Sequence, residues 1–276
     1  MDDTQTSFSI VTNDSDTFSG SFQLNLSGVL LKMVKVKKGQ FLMGSPDDEV
    51  GRTGDEKQHS VTLTQDYWLG ETQVTQKQWI AIMGDNPSCF KQGDEFPMEN
   101  VSWDNTMRFC EKLNQEFKEM LPKGYQFSLP SEAQWEYACR AETTTAFNNG
   151  KNLNYENWGP SLIIIGWSGE DLNLCSTHPV KKKTENTWGF YDMHGNVWEW
   201  CRDWYDLGYG CANKDTTDPQ GPPLGCSRVC RGGSWHCQAQ GCRSARRLYY
   251  LPSFCNNELG FRLALVPIFE DENSHK

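Results

Sequence analysis

The longest apolar run in this chain covers only residues 162–167. A bilayer-spanning helix needs about 20 apolar residues in a row, so no membrane span is expected. The same shortage argues against the Val/Ile-rich strands of a buried parallel sheet and against long helical bundles. The chain instead carries 11 Trp and 24 Gly, while its hydrophobic fraction is only 37%. Its core must therefore rest on aromatic rings packed around tight backbone turns, because rings bury large areas and glycine accepts the conformations that turns require. With 276 residues, one large domain or two small ones can bury roughly 75% of the unfolded surface.

Charge narrows the function. Lys plus Arg is 26 and Asp plus Glu is 36, a net charge of −10. A nucleic-acid binder normally presents a basic face, so no nucleic-acid partner is expected. No secretory apolar segment follows Met1. The 11 cysteines are odd in number, so at least one stays unpaired unless it bridges two chains. No Cys-x-x-Cys or His-x-x-x-His spacing suggests zinc. Cys110 and Cys139 fall on apolar helix faces and read as small buried side chains.

Three regions follow from the pattern: a polar lead-in over 1–28, one domain over 29–268, and a tail over 269–276. Alternation over Met33–Lys37, then Gly39 and a second short run at Phe41–Gly44, predicts a hairpin. Residues 47–59 read as a charged loop and 61–68 as a strand. A first helix opens at Thr75, places Trp79, Ile80 and Met83 inward and stops at Gly84. A second runs from Ser102 to about Phe117 with a stripe of Met107, Cys110, Leu113 and Phe117. A third opens at Ser131, where Ser131 and Gln134 suit a capping box, with Trp135, Ala138 and Cys139 inward. Beyond Ala141 the chain reads as loops and short strands.

Several phrases occur in a fixed order: Phe41-Leu42-Met43-Gly44-Ser45, Glu71-Thr72-Gln73-Val74-Thr75, Pro97-Met98-Glu99-Asn100-Val101-Ser102-Trp103 and Leu129-Pro130-Ser131-Glu132-Ala133-Gln134-Trp135-Glu136-Tyr137-Ala138. They continue with His178-Pro179-Val180, Gly189-Phe190-Tyr191-Asp192-Met193-His194-Gly195-Asn196-Val197-Trp198-Glu199-Trp200, Arg231-Gly232-Gly233-Ser234-Trp235 and Leu259-Gly260-Phe261-Arg262. Together, over about residues 30–266, they resemble the formylglycine-generating enzyme/sulfatase-modifying factor family. The resemblance implies an α+β, C-type lectin-like fold, loop-rich, with a small antiparallel sheet and two or three helices.

That fold carries both catalysts and binders. In the enzymes, as the resemblance implies, two cysteines with four residues between them bind copper and oxidise a substrate cysteine, and soft thiolates suit Cu(I). Counted forward from Ser234, Cys237 and Cys242 match that pair. Counted backward from Pro252, the segment is about three residues short, and Cys242 falls in Cys242-Arg243-Ser244-Ala245, a phrase resembling non-catalytic members. Copper-dependent oxidation of a sulfatase cysteine is thus the alternative reading.

The leading reading follows a second resemblance, to the variable proteins of diversity-generating retroelements. There a C-terminal segment is rewritten at adenines, largely in AAY codons. The fixed frame here comprises Arg231-Gly232-Gly233-Ser234-Trp235, Cys242-Arg243-Ser244-Ala245, Arg247, Pro252 and Leu259 to Leu265, within a variable region over 228–265. Between these lie Cys230, His236, Cys237, Gly241, Arg246, Leu248, Tyr249, Tyr250, Leu251, Ser253, Phe254 and Cys255, all of types an NNY codon encodes. Gln238 and Gln240 are not, and belong to the frame. The implied function is a ligand-binding receptor domain with a protein or cell-surface partner. Its implied place is the cell surface, with the membrane reached only through a lipidated N-terminus outside this sequence. Tyr249, Tyr250 and Phe254 would supply contact area with few rotors, as in antibody paratopes.

The family's enzymes also carry a calcium site in the stretch that aligns with Asp192–Trp200. Carried over, its ligands are Asp192, Gly195, Val197 and Glu199; two carboxylates plus carbonyls suit a hard cation. His194 has no partner in sequence that would make it a general base and reads as a structural histidine.

Overall fold

The computed structural model describes residues 8–12, 18–153, 165–169, 175–209 and 215–268. The 269–276 tail and residues 162–164 of the apolar run lie outside them. In chain order the strands are β1 (Phe8–Val11), β2 (Phe22–Leu26), β3 (Val29–Val36), β4 (Gly39–Met43), β5 (His59–Leu63), β6 (Tyr67–Gly70) and β7 (Tyr125–Ser128). They continue with β8 (Trp198–Trp204), β9 (Thr216–Thr217), β10 (Arg228–Arg231), β11 (Arg247–Tyr250), β12 (Leu259–Phe261) and β13 (Ala264–Pro267). The helices are α1 (Gln76–Met83), α2 (Trp103–Glu116) and α3 (Glu132–Arg140).

The strands form three small sheets. One is six-stranded, β1-β2-β3-β6-β13-β7, and antiparallel throughout. A second is four-stranded, β11-β10-β8-β12, with β12 parallel to β8. The third is β4-β5-β9, with β9 parallel to β5. This is the loop-rich α+β architecture that the motif order implies.

Each helix starts on a reciprocal capping box: Thr75 with Gln78, Ser102 with Asn105, and Ser131 with Gln134. These pairs satisfy backbone N–H groups that a helix start otherwise leaves orphaned. Gly84 ends α1 at φ +84°, a conformation open to glycine. The cores are aromatic. Trp79 stacks on Phe109 with centroids 5.4 Å apart, and Phe261 meets both rings edge-on.

Three sequence expectations need correction. The lead-in is not outside the domain: Phe22, Leu24 and Leu26 of β2 are buried in the main core, and β1 forms the sheet's edge. The predicted hairpin does not form, because β3 pairs with β2 and β6 while β4 pairs with β5 in another sheet. Lys37–Lys38 is thus a crossing between sheets, and the alternation reported strand without reporting its partner. In α1, Ile80 faces solvent at 40% exposure, while Trp79 is buried; eight residues give room for only one inward turn.

The C-terminal segment is fastened by buried arginines. Arg231 pairs with Glu136 and, at 3.4 Å, with Glu132. Arg247 holds Glu132 through two bonds of 2.6 and 2.8 Å. Arg243 reaches Glu49 and Glu56 of the charged loop. Arg262 holds Glu199 through two bonds of 3.0 Å. Buried charges persist only when paired and hydrogen-bonded, so these pairs fix the path of the segment against α3, β8 and the 49–56 loop.

Candidate ligand-binding face

β10 and β11 set the face. Their register places Cys230 opposite Leu248, and β8 places Trp200 opposite Cys230 from the other side. Cys230 is wholly buried in the main core, and burial pushes its thiol well above the usual range. This corrects the expectation that it belongs to the face: β10 is an inner strand, and one of its sides must cover the core.

The other positions lie at or near the surface. Tyr249 is 48%, Leu251 57% and Phe254 39% exposed. His236, Ser253 and Cys255 are exposed too, and Cys237, Gly241, Arg246, Leu248 and Tyr250 are half-buried. By contrast the frame residues Arg231, Ser234, Cys242, Arg243, Ser244, Ala245, Arg247, Leu259 and Arg262 are buried. The rings form two stacks, Tyr250 on Phe254 at 4.4 Å and Tyr249 on Tyr205 at 4.0 Å. Tyr205 comes from outside the segment, and its hydroxyl donates to Asp55 at 2.8 Å. Sequence reasoning missed both Tyr205 and Asp55. It also missed Arg228, whose guanidinium lies between Trp103 and Trp204, 3.9 and 3.4 Å from the ring centroids. No local pattern signals these pairings, because the partners lie on other elements.

Beside the aromatic stacks runs a groove of about 350 Å³, lined by Arg52, Thr53, Trp198, Cys237 and Arg246 among others. At its floor Cys237 lies next to Cys242. A hydrogen bond from the Cys242 thiol and two from Ser234 outweigh burial and bring the Cys237 thiol down to about 6. Ser234 Oγ lies 3.4 Å from Cys237 Sγ and 2.6 Å from Glu258 Oε2, so its one hydrogen is shared between them, and His236 lies 3.3 Å from the same carboxylate. Cys242 is fully buried. Two adjacent sulfurs, one reachable and one sealed, are a donor set that Cu(I) accepts. His194 is structural: Nδ1 donates to the Cys242 carbonyl at 2.8 Å, Nε2 accepts from the Asn148 N–H at 3.1 Å, and burial lowers its pKa to about 4.

The Asp192–Trp200 stretch converges on one side chain. Gln73 Nε2 lies 3.3, 3.1 and 3.1 Å from the carbonyl oxygens of Asp192, Gly195 and Val197. An amide nitrogen has two hydrogens, so three carbonyls exceed what it can satisfy. Asp192 Oδ1 and Gln73 Oε1 are also buried with no hydrogen-bond partner, and burial raises the Asp192 carboxyl to about 6. This surplus of oxygens fits a hard cation. Gly195 is required there: at φ +118° a Cβ would lie 2.0 Å from the Trp167 carbonyl oxygen. Glu199 is placed differently. Both its oxygens bind Arg262, and one also accepts from Trp135 Nε1 at 2.6 Å.

Capped helices, three small sheets and a C-terminal segment clamped by buried arginines define a domain of the sulfatase-modifying-factor type. The chain belongs to that family: the model of the sulfatase-modifying factor enzyme 1-like domain matches residues 25–266. It is 30% identical to the formylglycine-generating enzyme of Bos taurus over 67% of this chain and 50% of that protein. It is 29% identical to the chaperone protein LppX of Paenibacillus barcinonensis over 64% of this chain and 71% of that one. The chain thus spans about half the length of the formylglycine-generating enzyme it matches. Among solved structures it superposes on Treponema denticola variable protein 1 with a TM-score of 0.77 and 31% identity, covering 90% of this chain and 99% of that one.

Proposed function

We propose that this domain is a ligand-binding receptor module whose C-terminal segment displays replaceable side chains on a fixed frame. The observation that carries the reading is the division of that segment into two sets. The frame arginines lie inside with their charges paired and most other frame residues are buried, Trp235, Gln238, Gln240 and Pro252 excepted, while eleven of the twelve replaceable positions reach the surface. Exchanging side chains on a rigid, loop-rich scaffold costs little stability. The likeness to a variable protein supports the same reading, and a protein or cell-surface ligand is the partner it suits.

The test has two parts. A near-copy of the sequence encoding 228–265, differing only at adenines and lying close to a reverse transcriptase gene, is expected. A library randomised at Tyr249, Leu251, Ser253, Phe254 and Cys255 is expected to fold in most members, measured as soluble protein with cooperative melting. Absence of the near-copy together with general misfolding of the library overturns the reading.

A second reading draws on the sulfur pair. Cys237 and Cys242 suit Cu(I), which, when bound by two thiolates, supplies dioxygen chemistry for oxidising a substrate cysteine. Here the Ser234 and Cys242 hydrogen bonds would keep Cys237 in the thiolate form. Turnover of a sulfatase-motif peptide in the presence of copper, lost in Cys237→Ser, would establish it; no turnover removes it.

Calcium is proposed as a structural ion. The carbonyls of Asp192, Gly195 and Val197 and the carboxylate of Asp192 would hold it.

A further inference from the structure

We propose that the groove between residues 51–53 and 237–246 is a carboxylate site that receives an acidic side chain of a protein partner. This rests on the ligand-binding reading above and adds the chemistry of the partner. No Asp or Glu lines the groove, although the chain has 36 acidic against 26 basic residues. Its charged lining is instead the guanidinium groups of Arg52 and Arg246, with the Cys237 sulfur, which accepts its own hydrogen bonds from Cys242 and Ser234, on the floor.

Arg246 differs from the arginines around it. Arg231, Arg243, Arg247 and Arg262 each hold a carboxylate. Arg246 donates only to the neutral hydroxyl of Thr53, at 3.0 Å, and has no carboxylate partner among the described residues. Across the groove Arg52 pairs with Asp47, whose side chain is 97% exposed, an arrangement that water screens. The buried Nε of Arg52 has no hydrogen-bond partner. Gln238 uses its amide oxygen to accept from Gln240 at 3.2 Å, which leaves its N–H groups as the atoms it can offer. A buried donor without an acceptor is costly, and guanidinium groups match a planar carboxylate with two parallel bonds.

The partner's second feature follows from Thr53. Its hydroxyl lies 2.6 Å from Asp55 Oδ1, and Asp55 Oδ2 accepts from Tyr205, whose ring stacks on Tyr249. The arginine end of the groove therefore continues onto the stack of half-buried Tyr205 and exposed Tyr249. A carboxylate flanked by an aromatic or apolar side chain spans both, a pairing that an acidic peptide segment provides. Asp55 is ionised there, and the Arg247 guanidinium is the charge that balances it. Cys237 closes the other end, where its sulfur is held by Cys242 and Ser234 rather than by either arginine.

The probes are end-blocked, labelled Glu-Glu-Phe and Gln-Gln-Phe peptides, followed by fluorescence anisotropy on the intact protein. The Glu peptide is expected to bind about tenfold tighter, the scale of a hydrogen-bonded charge pair. Arg246→Gln and Arg52→Gln should each reduce that ratio, with melting temperatures checked to show that both variants fold. Tyr249→Ser should weaken both peptides and preserve the ratio. Equal binding of the two peptides, or an unchanged ratio in Arg246→Gln, overturns the carboxylate site. Preference for 3′-sialyllactose over the Glu peptide overturns the protein partner. A preserved ratio with no effect of Tyr249→Ser supports the groove and counts against the aromatic face, so the two readings fail separately.

Discussion

The ring of Tyr249 lies 4.0 Å from that of Tyr205, nearly parallel at 25°. Tyr249 is one of the positions proposed as replaceable, and Tyr205 directly follows β8. Tyr205 is itself held by its hydroxyl on Asp55, so the fixed ring is a platform that persists whatever replaces Tyr249. The expected cost of Tyr249→Ser is about 1 kcal/mol, the scale of one aromatic pair on a half-exposed residue. Urea denaturation should show a small shift in midpoint with an unchanged slope.

Arg243 predicts the opposite behaviour. It is completely buried and bound to Glu49 and Glu56, and it also donates to the Gly51 carbonyl. Arg243→Ala strands two carboxylates inside the fold, a loss of about 3–5 kcal/mol. The same urea titration measures it. A cost as small as that of Tyr249→Ser would mean that frame and face are not mechanically distinct.

Much of this division could be read from the chain. The three helix starts were visible because Thr75, Ser102 and Ser131 are residues that cap helices through local bonds, although a full capping box was expected only for the Ser131–Gln134 pair. Trp79, Trp135 and the Cys110 stripe followed from periodicity. The pairing of β3 was not legible, since alternation reveals a strand and not its neighbour. The arginine frame was only half legible. The phrases singled out Arg231, Arg243, Arg247 and Arg262, but Glu49 and Glu56 lay in what read as a solvated loop. Cys230 was misplaced because codon arithmetic carries no information about which side of an inner strand it occupies. Tyr205 became visible only when β8 was laid beside β10.

Calcium should raise the melting temperature. For a site filled at 100 times its Kd the gain is about 2.7 kcal/mol, on the order of 5–10 °C at this size. Asp192→Ala should abolish the shift by removing the unpaired carboxylate oxygen. Glu199→Ala is a poor test, since it leaves Arg262 buried without its carboxylate. If differential scanning calorimetry shows no shift, the Gln73 amide alone organises the three carbonyls.

Asp203 makes stability depend on pH. Burial and the neighbouring Glu132 charge raise its carboxyl from 3.8 to about 7, even though it accepts the Glu132 N–H at 2.8 Å. The folded state therefore holds this proton where the unfolded chain has lost it. Its contribution is complete below 3.8 and disappears as pH rises towards about 7. Asp203→Asn keeps an oxygen for the Glu132 N–H and has no proton to lose. Melting temperature plotted against pH should fall less steeply over that interval in the variant than in the wild type. His194 acts in the other direction, losing stability as pH falls from 6.5 towards about 4, so the difference between the two proteins is the quantity to read.

Cys237 should be the most reactive thiol on the groove side. Its hydrogen bonds from Cys242 and Ser234 bring it to about 6, while burial pushes the Cys110 thiol far up and that of Cys139 to about 12. The thiolate is the nucleophile, so at neutral pH Cys237 is mostly reactive and the two core thiols are inert. Alkylation by iodoacetamide, followed by peptide mass spectrometry, should mark Cys237 with a rate that rises through about pH 6. Replacing Ser234 by Ala removes its side-chain bond, leaves its backbone bond and the Cys242 bond in place, and should move that rise part of the way towards the ordinary thiol value of 9.0. The Glu258 carboxylate, which loses its 2.6 Å bond to the Ser234 hydroxyl, already pushes the thiol in the same direction. A rate profile that is the same in Ser234→Ala and wild type would show that the Ser234 hydroxyl does not set the charge of Cys237.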